Sequence, residues 1–287
     1  MTVDQSQERR VEVIAEAASC HDGSLDKALR LIQVAKDIGA GTVKFQFWSS
    51  ADRLADLRRV RPEYREIYRR YAMPESWLPI LANAADANGL EFLCTAYLIE
   101  DLPSIAPYVK QFKVSSFEAS DIAFLRALLA YGRPTLVSTG MHSSHNVDMV
   151  MIELWRAYRR NTALAFTLLQ CTSAYPCPVN AAGIRVISEW LSDGEDKYLY
   201  PIAFGFSDHT RSPLAGAVAV GAGASVIEFH LRLDDTDPSN PDFGVSRSPE
   251  EAHVYVENIR QAELLMGDGE KDVMREESAM AAYKRQG

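Results

Sequence analysis

The sequence has no apolar run long enough to cross a bilayer, and its polar opening, MTVDQSQERR, has no signal-peptide core. The cytoplasm is therefore the expected compartment, and a membrane is not expected as a partner. Cysteine is scarce: Cys20, Cys94, Cys171 and Cys177 are scattered along 287 residues. That scatter suits reduced thiols, and the spacing of Cys171 and Cys177 makes no CxxC zinc motif. Positive charge is short as well. Lys and Arg number 30 against 39 Asp and Glu, a formal net charge of -9. This argues against nucleic acid or anionic membrane as a general partner, so an anionic substrate would need locally gathered positive charge. No Gly-rich dinucleotide fingerprint follows any apolar run. Internal repeats, low-complexity stretches and a dividing linker are also absent.

What is present is a regular alternation. Strand-length apolar runs are expected at 11–18, 42–47, 91–95, 111–116, 134–140, 163–172, 202–208 and 225–230. Helical segments follow at 24–38, 74–88, from 98, and at 122–130, 145–159, 181–191, 214–224 and 249–266. Ser24 suits an N-cap and Gly39 the residue just past a helix end. Residues 49–73, rich in Arg and Tyr with Asp and Glu interleaved, read as a solvated helix on the ligand side. Eight strand–helix beats are the count of an α/β fold of the (β/α)8 TIM barrel type, a single domain over 11–267. Residues 1–10 form an N-terminal extension and 268–287 a C-terminal tail. A doubly wound open sheet is the alternative.

In parallel α/β folds the carboxyl ends of the strands carry the chemistry. His209 and His230 end neighbouring strands, and two converging imidazoles can hold a divalent metal. The bland alternative is a pair of buried histidines. Lys44 and Gln46 alternate with apolar neighbours and point the same way, where a lysine needs an anionic partner or a ligand. The other strand-end residues are Glu16, His21, Thr95, Lys113, Ser116, Glu118, Ser138, Thr139, Thr172, Ser173, Tyr175, Ser207 and Asp208. Two lysines and a ring of hydroxyls suit a phosphate. Glu16 and Glu118 can orient a polyol or transfer a proton, and the histidine pair can supply a Lewis acid. Anion site, metal and carboxylate together suggest condensation of a phosphorylated enol with a carbonyl compound.

Seven segments, in order, carry a resemblance. They are Ile14-Ala15-Glu16 with His21-Asp22-Gly23-Ser24, Val43-Lys44-Phe45-Gln46, Phe112-Lys113-Val114-Ser115-Ser116, Leu136-Val137-Ser138-Thr139-Gly140-Met141, Cys171-Thr172-Ser173-Ala174-Tyr175-Pro176, Gly205-Phe206-Ser207-Asp208-His209-Thr210, and Ile227-Glu228-Phe229-His230. From about Val11 to Gly267 the chain resembles the catalytic barrel of the sialic acid (N-acetylneuraminate) synthases. The resemblance implies a transferase that condenses phosphoenolpyruvate with N-acetylmannosamine or a related amino-sugar to give a sialic-type acid and phosphate. It implies a divalent metal on His209 and His230, Mn2+ first, with Mg2+ or Co2+ as alternatives. Phosphoenolpyruvate contacts would come from Lys44, Thr95, Lys113, Ser116, Ser138, Ser173 and Ser207. Glu16, Glu118, Tyr175 and Asp242 would face the amino-sugar, with Gln46 and Asp208 beside them as substrate-binding residues.

The family usually continues into a small antifreeze-like domain beyond the point where this sequence stops, Gly287. Residues 49–71 and 234–246 are then the expected covers of the barrel mouth, helped by a homodimer partner or a separate lid protein. An arginine from the 58–70 stretch is the expected contributor. A barrel that binds phosphoenolpyruvate without turnover, and a single-domain synthase of the 3-deoxy-ulosonate phosphate type, are the alternative functions.

Overall fold

The computed structural model describes residues 10–197, 200–281 and 283–284. The extension at 1–10 therefore lies, apart from Arg10, outside the described residues. The apolar runs become eight strands: β1 (Glu12–Glu16), β2 (Thr42–Phe47), β3 (Glu91–Ala96), β4 (Phe112–Val114), β5 (Thr135–Ser138), β6 (Phe166–Cys171), β7 (Ala203–Asp208) and β8 (Val226–His230). Their order is β3-β2-β1-β8-β7-β6-β5-β4, with parallel pairing throughout. That is the chain order bent into a ring, a nearly closed barrel whose ends meet at β3 and β4. Around it run α1 (Leu25–Asp37), α2 (Ala51–Arg58), α3 (Pro62–Arg70), α4 (Trp77–Ala87), α5 (Leu102–Ile105), α6 (Ile122–Leu129), α7 (Ser144–Arg160), α8 (Arg185–Lys197), α9 (Ala215–Gly221) and α10 (Pro249–Met266).

Helix ends follow local chemistry. The Ser24 hydroxyl accepts from the Lys27 N–H, and Gly39 leaves α1 at φ +80°. Pro249 opens α10 behind a capping box made by Ser248 and Glu251. Residues 49–73 depart from the expected single helix. Arg59 adopts a left-handed φ of 50° and closes α2, and Pro62, with no N–H to offer, starts α3. The helix expected at 181–191 begins only at Arg185, because Gly183 sits at φ +66°. Strand β4 stops at Val114, since the Ser115 carbonyl turns back to accept from Glu118 and Ala119.

Strand alternation sorts the side chains into two cores. Outward residues such as Val13, Ala15, Val43, Phe45 and Phe206 pack under the helices in the large apolar cluster. Inward residues Ile14, Leu93, Leu136, Leu169 and Val226 form a separate cluster that floors the barrel. Each buries almost completely, a contribution of roughly 1.5–3 kcal/mol per side chain. One inward step further along these strands stand Glu16, Thr95, Ser138, Cys171 and Glu228, so the apolar floor gives way to polar and charged side chains.

Candidate active site

Register makes that step a layer. Glu16 pairs with Lys44 on one side and His230 on the other, Gln46 with Thr95, Cys171 with Ser207, and Ser207 with Glu228. Three of these inward positions, with Lys113, hold buried charge around one centre. Lys44 Nζ lies 2.7 Å from Glu16 and 3.4 Å from Glu228. Lys113 Nζ lies 3.3 Å from the other Glu228 oxygen and donates to the Ser138 hydroxyl at 2.7 Å. Ser207 donates to Glu228 at 2.8 Å, Gln46 to Glu16 at 2.6 Å, and Lys44 to Thr95 at 3.4 Å.

Desolvation sets the protonation pattern. Burial opposes charge on Lys44, yet Glu16 and Glu228 outweigh it and push the ammonium up to about 12. Burial would raise Glu228 too, but Lys113 and Lys44 hold it well below the usual carboxylate range. Glu16 goes the other way: burial, with Glu228 adding to it, lifts the carboxyl above its ordinary value despite Lys44. Two carboxylates in one pocket thus have opposite tendencies, Glu228 held down by the lysines and Glu16 lifted by burial. Burying four charges costs several kcal/mol per ion, where apolar residues would serve stability as well or better. A buried charged network of this kind marks a candidate functional site.

Beside this centre the hydroxyls gather. Ser116 accepts from the Gly140 N–H at 2.9 Å, and the buried Ser173 hydroxyl has no hydrogen-bond partner among the described residues. A Cβ on Gly140 would stand 2.2 Å from Ser173 Oγ and 2.9 Å from Ser116 Oγ, so the close approach of these two hydroxyls requires glycine. Across the mouth, the His209 and His230 rings lie 5.3 Å apart, centroid to centroid. Tyr175 stacks on His209 at 4.2 Å and is 45% exposed. Asp242 accepts from the Ser19 N–H at 3.1 Å and from its hydroxyl, and stands 3.9 Å from His230 Nδ1. Glu118 is held by Arg58 and Ser115.

The expected residues Glu16, Lys44, Gln46, Thr95, Lys113, Ser138 and Ser207 therefore meet in one linked network. Ser116 and Ser173 adjoin Gly140, and His209, His230, Tyr175 and Asp242 stand together. Asp208 does not join them. Ser207 points inward, so its neighbour points out, where Asp208 is fully buried, 2.8 Å from Arg247 and accepting from Tyr255 of α10 at 2.7 Å. It braces the barrel wall. His21 also lies off the centre: it accepts from the Gly23 N–H and packs edge-on against Trp77, and burial lowers it to about 4. Thr139 and Thr172 spend their hydroxyls on backbone carbonyls. Glu228, central to the network, was not singled out from sequence. Its parity with His230 on one strand was the available signal.

The two histidines differ in protonation: burial would lower His209, but Cys171 and the Thr172 carbonyl raise it overall. Burial lowers His230 to about 3 and keeps it neutral. His209 Nδ1 lies 2.8 Å from the Thr172 carbonyl, the kind of anchor that leaves Nε2 available as a donor. No group of three or more His, Cys, Asp or Glu side chains poised to hold an ion occurs among the described residues. An ion on His209 and His230 would thus complete its shell with substrate or water.

A parallel barrel with a buried charged centre at its carboxyl end and a polar mouth belongs to the class of barrel enzymes. A family model described as the NeuB family matches residues 31–271. The chain belongs to the NeuB family. It is 31% identical to N,N'-diacetyllegionaminic acid synthase of Legionella pneumophila, over 95% of this chain and 78% of that protein. It is 30% identical to human N-acetylneuraminate-9-phosphate synthase, over 91% of this chain and 73% of that one. Among solved structures, an N-acetylneuraminic acid synthetase from Leptospira borgpetersenii serovar Hardjo-bovis superposes with a TM-score of 0.82 at 25% identity, covering 95% and 90% of the two chains.

Proposed function

We propose that this protein condenses phosphoenolpyruvate with the aldehyde of an open-chain N-acetylated amino-sugar, N-acetylmannosamine or a close relative, giving a sialic-type acid and phosphate. The observation that carries the reading is the Glu16–Lys44–Glu228–Lys113 centre beside a cradle of free or sharable hydroxyls. The lysines and the Ser116, Ser138 and Ser173 hydroxyls supply point charge and donors for the phosphate and carboxylate of the enol. The acceptor enters from the open side, past Tyr175, Asp242 and Glu118. C3 of the enol then forms a bond to the aldehyde carbon, and the aldehyde oxygen takes a proton. Glu16, whose raised pKa lets it hold a proton at this position, orients or protonates that oxygen. Water adds at C2, and phosphate leaves from the tetrahedral carbon by cleavage of the C–O bond. His209 and His230 would hold a divalent ion, whose chemistry is Lewis-acid polarisation of the aldehyde oxygen.

The test is phosphate release with N-acetylhexosamines and smaller aldoses, each with phosphoenolpyruvate and Mn2+. Release is expected only with all three components present. Silence across the whole panel would contradict the proposal.

A further inference from the structure

Arg58 is the last residue of α2, yet it is nearly buried, with its side chain 16% exposed. It crosses from the segment after β2 to the loop after β4, where Nη2 donates to Glu118 at 2.6 Å and Nε to the same oxygen at 3.1 Å. Its guanidinium lies over the rings of Tyr97 and Phe117, 4.6 Å from each centroid, and Nη1 donates to the Tyr68 hydroxyl. Phe117 itself is 49% exposed at the rim. The opposite Glu118 oxygen accepts from Ser115. Nothing in helix propensity asks a C-terminal arginine to leave solvent for such a slot. Desolvating it is compensated only by a partner of good geometry and by aromatic faces. The cluster also adjoins the charged centre: after burial, the Glu118 and Glu16 carboxylates act to raise the Tyr97 hydroxyl against the pull of Arg58.

We infer that Arg58 is the positioning residue for acceptor recognition, holding the Glu118 carboxylate in place at the sugar side of the mouth. This role rests on the acceptor reading above. Removing the guanidinium leaves Glu118 buried without a cation, so its carboxylate turns or takes up a proton, and the sugar hydroxyls lose a fixed acceptor. The phosphoenolpyruvate cradle lies on other residues and is untouched.

The test uses the full chain with N-acetylmannosamine, or whichever acceptor supports turnover, comparing wild type with R58M, R58K, E118Q and the double variant R58M/E118Q. R58M is expected to raise the acceptor KM about tenfold or more, the scale of one lost charge-assisted contact, with kcat changed far less. Phosphoenolpyruvate affinity by calorimetry should stay within about twofold, as expected for a site that shares no partner with the change. R58K should recover part of the KM, and the double variant should be no worse than the poorer single, as coupled partners require. An unchanged acceptor KM, additive effects, or an equal loss of phosphoenolpyruvate affinity in R58M would overturn the assignment. Wild type without turnover on any acceptor would instead count against the proposed function, so the two failures are separable.

Discussion

At the residue scale the site depends on small differences in which way a side chain points and what it touches. Gly140 is the sharpest case, since a methyl group there collides with the Ser173 and Ser116 hydroxyls and not with backbone. Those hydroxyls would have to turn away, and Ser116 would then give up the Gly140 N–H. Gly140→Ala should therefore weaken phosphoenolpyruvate binding by about 1–3 kcal/mol and lower the melting temperature modestly, without unfolding the barrel. Calorimetry reads the first and a thermal scan the second; full affinity in the alanine variant would remove the hydroxyl cradle from the account. The histidines allow a parallel check. His230→Ala should fold normally by circular dichroism and lose most Mn2+ binding in a titration, whereas a folded variant binding Mn2+ as tightly as wild type would dismiss the metal. Sequence reading located Lys44, Lys113, Glu16 and the hydroxyls because a charge at the end of an apolar strand stands out. It passed over Glu228, although strand parity with His230 puts both on the inner face. A carboxylate inside an apolar run shows its purpose only when the lysines of β2 and β4 are seen to converge on it.

At the element scale, β7 and α10 are tied through one buried contact. Asp208 sits between Arg247 and Tyr255, and the Arg247 guanidinium lies 3.8 Å from the Tyr255 ring centroid. Asp208→Ala would strand Arg247 in the interior, so it should lower the unfolding free energy by about 3–5 kcal/mol. Denaturant titration measures this. A stable variant that had instead lost phosphoenolpyruvate affinity would return Asp208 to the site. The residue was expected there because strand-end position was legible while side-chain direction was not; the inward Ser207 fixes Asp208 outward. The segment expected to cover the mouth was half legible for a similar reason. Its Arg and Tyr content marked residues 49–73, and the link from Arg70 to Asp237 joins it to the 234–246 loop. Pro62 marks the break after Arg59 locally, but the choice of Arg58 as the buried arginine depends on a partner 60 residues away. No local pattern encodes that.

At the scale of the whole molecule, the barrel was readable because each beat repeats the same physics. An apolar strand needs both faces covered, and the helix after it supplies the outer cover. The apolar floor below and the charged layer above follow from the same alternation carried around eight strands. On the proposed function, this division puts stability in the floor and outer core and chemistry in the layer above. The central claim is that carbon–carbon bond formation, and not simple hydrolysis, drives phosphate out. The most direct measurement is turnover in 18O-labelled water with phosphoenolpyruvate, Mn2+ and an accepted amino-sugar, followed by mass spectrometry of the phosphate. The account predicts unlabelled phosphate, formed only when the sugar is present, because water adds at carbon and the C–O bond breaks. Phosphate carrying 18O, or phosphate formed equally well without the sugar, would contradict it.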